Sequence, residues 1–96
     1  MVSNEPGYYK TGSYGIRIEN LLTVINAIPQ EGMEGNFLEF ETLTLAPLDQ
    51  TLIVKNILDH GEKQWINRYH ALVYEQLVKL LEPEARDWLK EATLPI

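Results

Sequence analysis

Asn4-Glu5-Pro6-Gly7-Tyr8-Tyr9 and, five residues on, Gly15-Ile16-Arg17-Ile18-Glu19-Asn20 decide how this chain is read. The first run carries a carboxylate into a Pro-Gly pair, which favours a turn. The second alternates isoleucines with charged residues. Period-two alternation in a strand places Arg17, Glu19 and Leu21 on one face and Ile16, Ile18 and Leu22 on the other. A single hairpin, with Tyr8 to Gly15 as its connection, would bring Glu5 and Glu19 together. Paired carboxylates are the donors that hard divalent cations require. Taken singly, an acidic residue on a strand is most simply a solvated edge residue, because acidic side chains are mostly exposed.

Outward from these runs the first half of the chain stays extended. Ile16 to Val24 is rich in β-branched and aliphatic residues, and in Phe37 to Leu45 the residues Leu38, Phe40 and Thr42 alternate with Glu39 and Glu41. Glycines and prolines at Pro6, Gly7, Gly12, Gly15, Pro29, Gly32 and Gly35 punctuate the strands. The second half is helical. Asp59 and Glu62 have capping-box spacing, and Trp65, Ile66, Tyr69, Leu72, Val73, Leu77, Leu80 and Leu81 then recur every three or four residues. Pro83 suits the first turn of a second helix whose Ala85, Trp88, Leu89 and Ala92 share a face before Pro95. The expected fold class is α+β: a small antiparallel sheet followed by two C-terminal helices with their Trp and Leu faces inward. Residues 1–53 carry the strands and 54–96 a helical extension packed on them as one structural unit.

Composition narrows the function classes. The 96 residues hold fourteen acidic and eight basic side chains, a net charge of −6, which opposes binding to phosphate backbones. No nucleic acid and no membrane is expected as a partner. With no cysteine, disulfides, thiolate metal sites and cysteine nucleophiles are excluded. This composition suits the cytoplasm. His60 follows the expected helix cap and His70 lies within the helix, neither with a second ligand at metal spacing, so both read as structural or solvent-facing.

Glu-Pro-Gly-Tyr-Tyr, followed fourteen residues from its glutamate by the glutamate of Gly-Ile-Arg-Ile-Glu-Asn, resembles the last two metal-ligand motifs of the Xaa-Pro aminopeptidases (aminopeptidase P), proline-specific dinuclear metallopeptidases with the pita-bread fold. Phe37-Leu38-Glu39-Phe40-Glu41-Thr42-Leu43-Thr44-Leu45-Ala46-Pro47-Leu48-Asp49 and Trp88 to Ile96 are similar to that family's C-terminal segment. The resemblance implies that Glu5 and Glu19 are metal ligands, Glu19 bridging two ions and Glu5 doubling as proton shuttle. It implies that Arg17 orients the carboxylates. Tyr9 is implied as a hydroxyl near substrate, although aromatic packing on the hairpin explains it almost as well.

The family carries two aspartates and a histidine upstream of its glutamates, and only four residues precede Glu5. The chain is therefore expected to be a C-terminal piece of a longer hydrolase. The implied reaction is hydrolysis of the N-terminal Xaa-Pro bond by a metal-activated bridging hydroxide, on peptides with proline in second position. Two divalent ions are implied, Mn2+ first, with Zn2+ or Co2+ as alternatives. The 96-residue piece alone is expected to be inactive and to hold no metal, and exposed apolar strand surface favours a homodimer. Two other readings stay open: a non-catalytic peptide-binding module on the same fold, and a Xaa-Pro dipeptidase.

Overall fold

The computed structural model describes all residues from Met1 to Ile96 and divides into two compact units, Met1–Thr44 and Leu45–Ile96. In the first, five strands follow one another: β1 (Val2–Asn4), β2 (Gly7–Lys10), β3 (Tyr14–Arg17), β4 (Asn20–Asn26) and β5 (Leu38–Thr42). They form a three-stranded antiparallel sheet in the order β1-β4-β5 and a two-stranded pair, β2 with β3. These two ladders are one hairpin in register. Val2 faces Leu22 and Asn4 faces Asn20 in the first; Gly7 faces Arg17 and Lys10 faces Tyr14 in the second. The offset is the same throughout.

The interruption has a local cause. Between the ladders the Ile18 amide donates to the Pro6 carbonyl at 3.1 Å, but Pro6 has no N–H to return. Pro6 therefore stands inside the hairpin rather than in a turn. The turn falls further on, at Thr11 to Ser13, where Gly12 adopts a left-handed φ of 70° and the Ser13 amide reaches back to the Lys10 carbonyl at 3.0 Å. Tyr8 to Gly15, expected as a connection, is mostly ladder: Tyr8 faces Ile16 and Tyr9 faces Gly15. The sequence reading placed the turn at the Pro-Gly pair because that dipeptide favours turns in isolation; the cross-strand pairing on either side of it overrides the preference.

On the other side of β4, Val24 faces Phe40 and Asn26 faces Leu38. Phe40 (64%) and Leu38 (68%) are nonetheless exposed, so the alternation along β5 does not translate into one buried face.

The second unit is helical: α1 spans His60–Leu77 and α2 spans Pro83–Ala92, with short 3-10 turns at Gln50–Leu52, Lys55–Ile57 and Val78–Leu80. The α1 capping box is complete. Asp59 Oδ1 accepts from the Glu62 amide at 2.8 Å and Glu62 Oε2 accepts from the Asp59 amide at 2.9 Å, satisfying two otherwise orphan donors. Pro83 occupies the first turn of α2. The core consists of Tyr69, Val73 and Leu89, with Leu45, Leu48, Tyr74, Leu77, Val78 and Leu81 packed around it. Trp65 stacks on Tyr69 with ring centroids 5.5 Å apart but stays partly exposed, and Trp88 is 62% exposed. The inward residue of α2 is thus Leu89 rather than its tryptophan. No helix is long and apolar enough to cross a membrane.

His70 is fully buried and ties the segment before α1 to the helix. Its Nε2 accepts from the Leu48 amide at 2.9 Å, so that nitrogen must carry no proton. The Gln50 side-chain nitrogen lies 3.3 Å from Nδ1 and donates to the Leu94 carbonyl at 2.8 Å. Burial lowers the His70 pKa. The sign follows: above the ordinary value of about 6.5 the ring is neutral folded and unfolded alike, and its arrangement contributes fully. As pH falls below that value the unfolded chain gains a proton that the folded ring refuses, and stability declines until the lowered folded pKa is passed. Thermal melts should therefore show a lower Tm at pH 5 than at pH 7.5, and a His70→Gln variant should lose that part of the difference. An equal pH dependence in the variant would contradict the assignment.

Candidate metal centre

The common register of the two ladders places Glu5 opposite Glu19. Because the neighbouring Pro6 and Ile18 are the hydrogen-bonded pair, Glu5 and Glu19 form a non-hydrogen-bonded pair, the type in which facing side chains stand closest. Two like charges directly across a ladder destabilise it. A positive charge beside them offsets that repulsion.

Arg17 is the one the chain supplies. It lies on the same face, one position along from Glu19, and its Nε donates to Glu19 Oε2 at 3.1 Å while Nη1 lies 3.9 Å from Glu5 Oε2. All three side chains are about half exposed, so water screens this triad. One guanidinium against two carboxylates leaves the cluster net negative. The Glu19 carboxylate above all, with the nearby Tyr9 hydroxyl, raises the Arg17 pKa and keeps it ionised. On the far side Ser3 Oγ donates to Glu5 Oε1 at 3.3 Å. Glu5 is thus held from both sides, with Ser3 and Arg17 each taking one oxygen.

All four residues singled out from the sequence, Glu5, Tyr9, Arg17 and Glu19, share this face. Ser3 was missed, although its place two residues before Glu5 puts it on the same side by strand periodicity. Gly7 and Gly15, which line the face beside Tyr9, were read only as turn punctuation. Both histidines lie on α1 in the second unit.

The donor set suits a hard divalent cation: four carboxylate oxygens on adjacent strands, with no thiolate or imidazole. It is a partial set. Nowhere does the chain gather three or more His, Cys, Asp or Glu side chains that could hold a metal.

Comparison with known proteins identifies the family to which the chain is similar. The family described as the C-terminal region of peptidase M24 matches residues 36–96. A protein of Coprinopsis cinerea named "Probable Xaa-Pro aminopeptidase P" is 43% identical over 98 residues, covering 99% of this chain and 16% of that protein. One of the same name in Ajellomyces dermatitidis is 41% identical over 99 residues, covering 100% and 16%. Among solved structures, X-prolyl aminopeptidase from Caenorhabditis elegans, described as a cytosolic enzyme with a di-nuclear active site, superposes with a TM-score of 0.82 at 37% identity, over 98% of this chain and 16% of that one. The chain spans about a sixth of the length of these relatives. Its α+β architecture, small antiparallel sheets followed by two helices, is that of the C-terminal region of the worm enzyme. On these grounds the chain belongs to the M24 peptidases, as the C-terminal region characteristic of that family.

Proposed function

We propose that this chain supplies two of the metal ligands, Glu5 and Glu19, of a cytoplasmic Xaa-Pro aminopeptidase whose remaining ligands come from preceding polypeptide. The observation that carries the reading is the direct cross-strand placement of Glu5 and Glu19, with Arg17 beside both. One buried acceptor lies beside the site. Asn20, next to Glu19, is only 4% exposed, and its Oδ1 has no hydrogen-bond partner within the chain, an acceptor open to an outside donor. The di-nuclear site of the worm relative supports a pair of ions, and an oxygen-rich site suits Mn2+.

When bound, such a pair polarises the scissile carbonyl and lowers the pKa of water to near neutrality. The residues of this chain have distinct tasks around it. Glu19, anchored by the short Arg17 contact, is the fixed carboxylate. Glu5, held by the weaker Ser3 and long Arg17 contacts, has freedom to take a proton from the attacking water and pass it on. The leaving group needs that proton: the nitrogen of a Xaa-Pro amide carries no hydrogen, and C–N cleavage must end with one on the prolyl nitrogen. Arg17 keeps both carboxylates oriented, and the Tyr9 hydroxyl in turn positions Arg17. The reading includes a homodimer, supported by the exposed apolar side chains Val24, Leu38 and Phe40 on one face of β4 and β5.

The decisive assay uses the full-length protein containing this chain, with a peptide bearing proline in second position. Release of the N-terminal residue should require added Mn2+ and should cease with a chelator. No release by folded, metal-loaded protein would overturn the reading.

A further inference from the structure

We infer that Gly15, together with Gly7, is a positioning residue: the two glycines form a bare floor on which the Tyr9 ring lies flat, and this sets its hydroxyl over Gly7, directly across from Arg17. The inference deepens the proposed function and rests on it for its catalytic meaning.

On the face that carries Glu5, Arg17 and Glu19, Tyr9 stands directly across from Gly15, and Gly7 directly across from Arg17. A Cβ on Gly15 would fall 2.7 Å from Tyr9 Cδ1 and 3.1 Å from Cε1. A Cβ on Gly7 would fall 2.8 Å from the Tyr9 hydroxyl and 3.0 Å from Cε2. The ring therefore runs from one glycine to the other over the backbone, its polar end above the residue that faces Arg17. Carbon pairs settle at about 3.5–4.0 Å, so neither position accepts a side chain unless the ring moves.

Backbone conformation does not explain these glycines. Left-handed φ angles occur at Gly12, Gly32 and Gly35, not at Gly7 or Gly15. Glycine within a strand weakens it through chain entropy, and a close approach by another group is the usual reason for its presence. Here the group is the Tyr9 ring. Gly15 is the cleaner of the two, because its contacts closer than 3.4 Å are all with that ring, whereas a Cβ on Gly7 would also meet the Ile16 carbonyl at 2.9 Å.

The test is a double-mutant cycle of Gly15→Ala and Tyr9→Phe with two readouts. In the 15N-labelled 96-residue chain, Gly15→Ala should shift the Arg17 Nε–H resonance and speed its hydrogen exchange as Tyr9→Phe does, and the double variant should match Tyr9→Phe alone. In the full-length enzyme each single variant should lower kcat/KM by about 10- to 100-fold, the loss typical when a group supporting a metal ligand is removed, and the double variant no further. Additive losses, or an Arg17 resonance unmoved by Gly15→Ala, would overturn the proposal. If Gly15→Ala does not fold, Gly15→Ala/Tyr9→Ala decides: recovery of the fold identifies the ring as the obstacle, while continued unfolding assigns Gly15 a backbone role and ends the proposal. The resonance needs neither metal nor peptide. An inactive full-length protein would therefore count against the peptidase reading and leave the glycine floor separately testable.

Discussion

Glu19→Gln in the full-length protein should reduce turnover of a Xaa-Pro peptide by at least roughly a thousandfold, about 4 kcal/mol of lost transition-state stabilisation. The substitution keeps the size and shape of the side chain and removes one negative charge. It also ends the charge-assisted contact with Arg17 at 3.1 Å, leaving that guanidinium with Glu5 at 3.9 Å and the Tyr9 hydroxyl. In the 96-residue chain the same change removes a like-charge pair across the ladder, so the hairpin should be no less stable than before. The two measurements belong together. Loss of activity with an unchanged melting curve identifies a functional carboxylate; loss of both would make Glu19 a structural residue, and near-normal turnover would remove it from the metal site. Metal titration of the full-length variant should show a parallel fall in Mn2+ affinity.

The largest effect on stability is expected from Leu89→Ala. Leu89 is 1% exposed and joins Tyr69 and Val73 in a core with few fully buried members, so neighbouring side chains have little capacity to close the space. Truncation of a buried leucine costs about 2–5 kcal/mol, against a total of about 5–15 kcal/mol for a domain. The corresponding fall in Tm is roughly 10–30 °C for a chain of this size. Trp88→Ala is the control. It removes a larger side chain one residue away, but from a mostly exposed position, and should cost well under half as much. Thermal or urea melts by circular dichroism would check both, and a costlier Trp88→Ala would reverse the assignment of the inward face of α2.

That assignment shows where sequence reasoning stopped. Both Trp88 and Leu89 fit the apolar spacing of α2, and the sequence reading set both inward. Leu89 is inward because the direction of the face depends on which side chains of α1 and of the segment at Leu45 and Leu48 it meets, and periodicity does not hold that information. The α1 cap, by contrast, was legible, since Asp59 and Glu62 satisfy donors within their own turn. His70 was legible only as a histidine without metal-ligand neighbours; its bond to the Leu48 amide spans 22 residues.

The site divides along the same line. The sequence by itself determined the chemical groups, their strand face and their spacing: Glu5 and Glu19 fourteen residues apart, with Arg17 on the same side as Glu19. Strand alternation is a local property of the backbone, readable without knowledge of any partner. Only the tertiary structure decided the register: Pro6 inside the ladder, the turn at Gly12, Glu5 directly across from Glu19, and Tyr9 lying over Gly7 and Gly15. Register depends on pairing between distant segments, and a slip of one residue would have turned every one of these side chains to the other face.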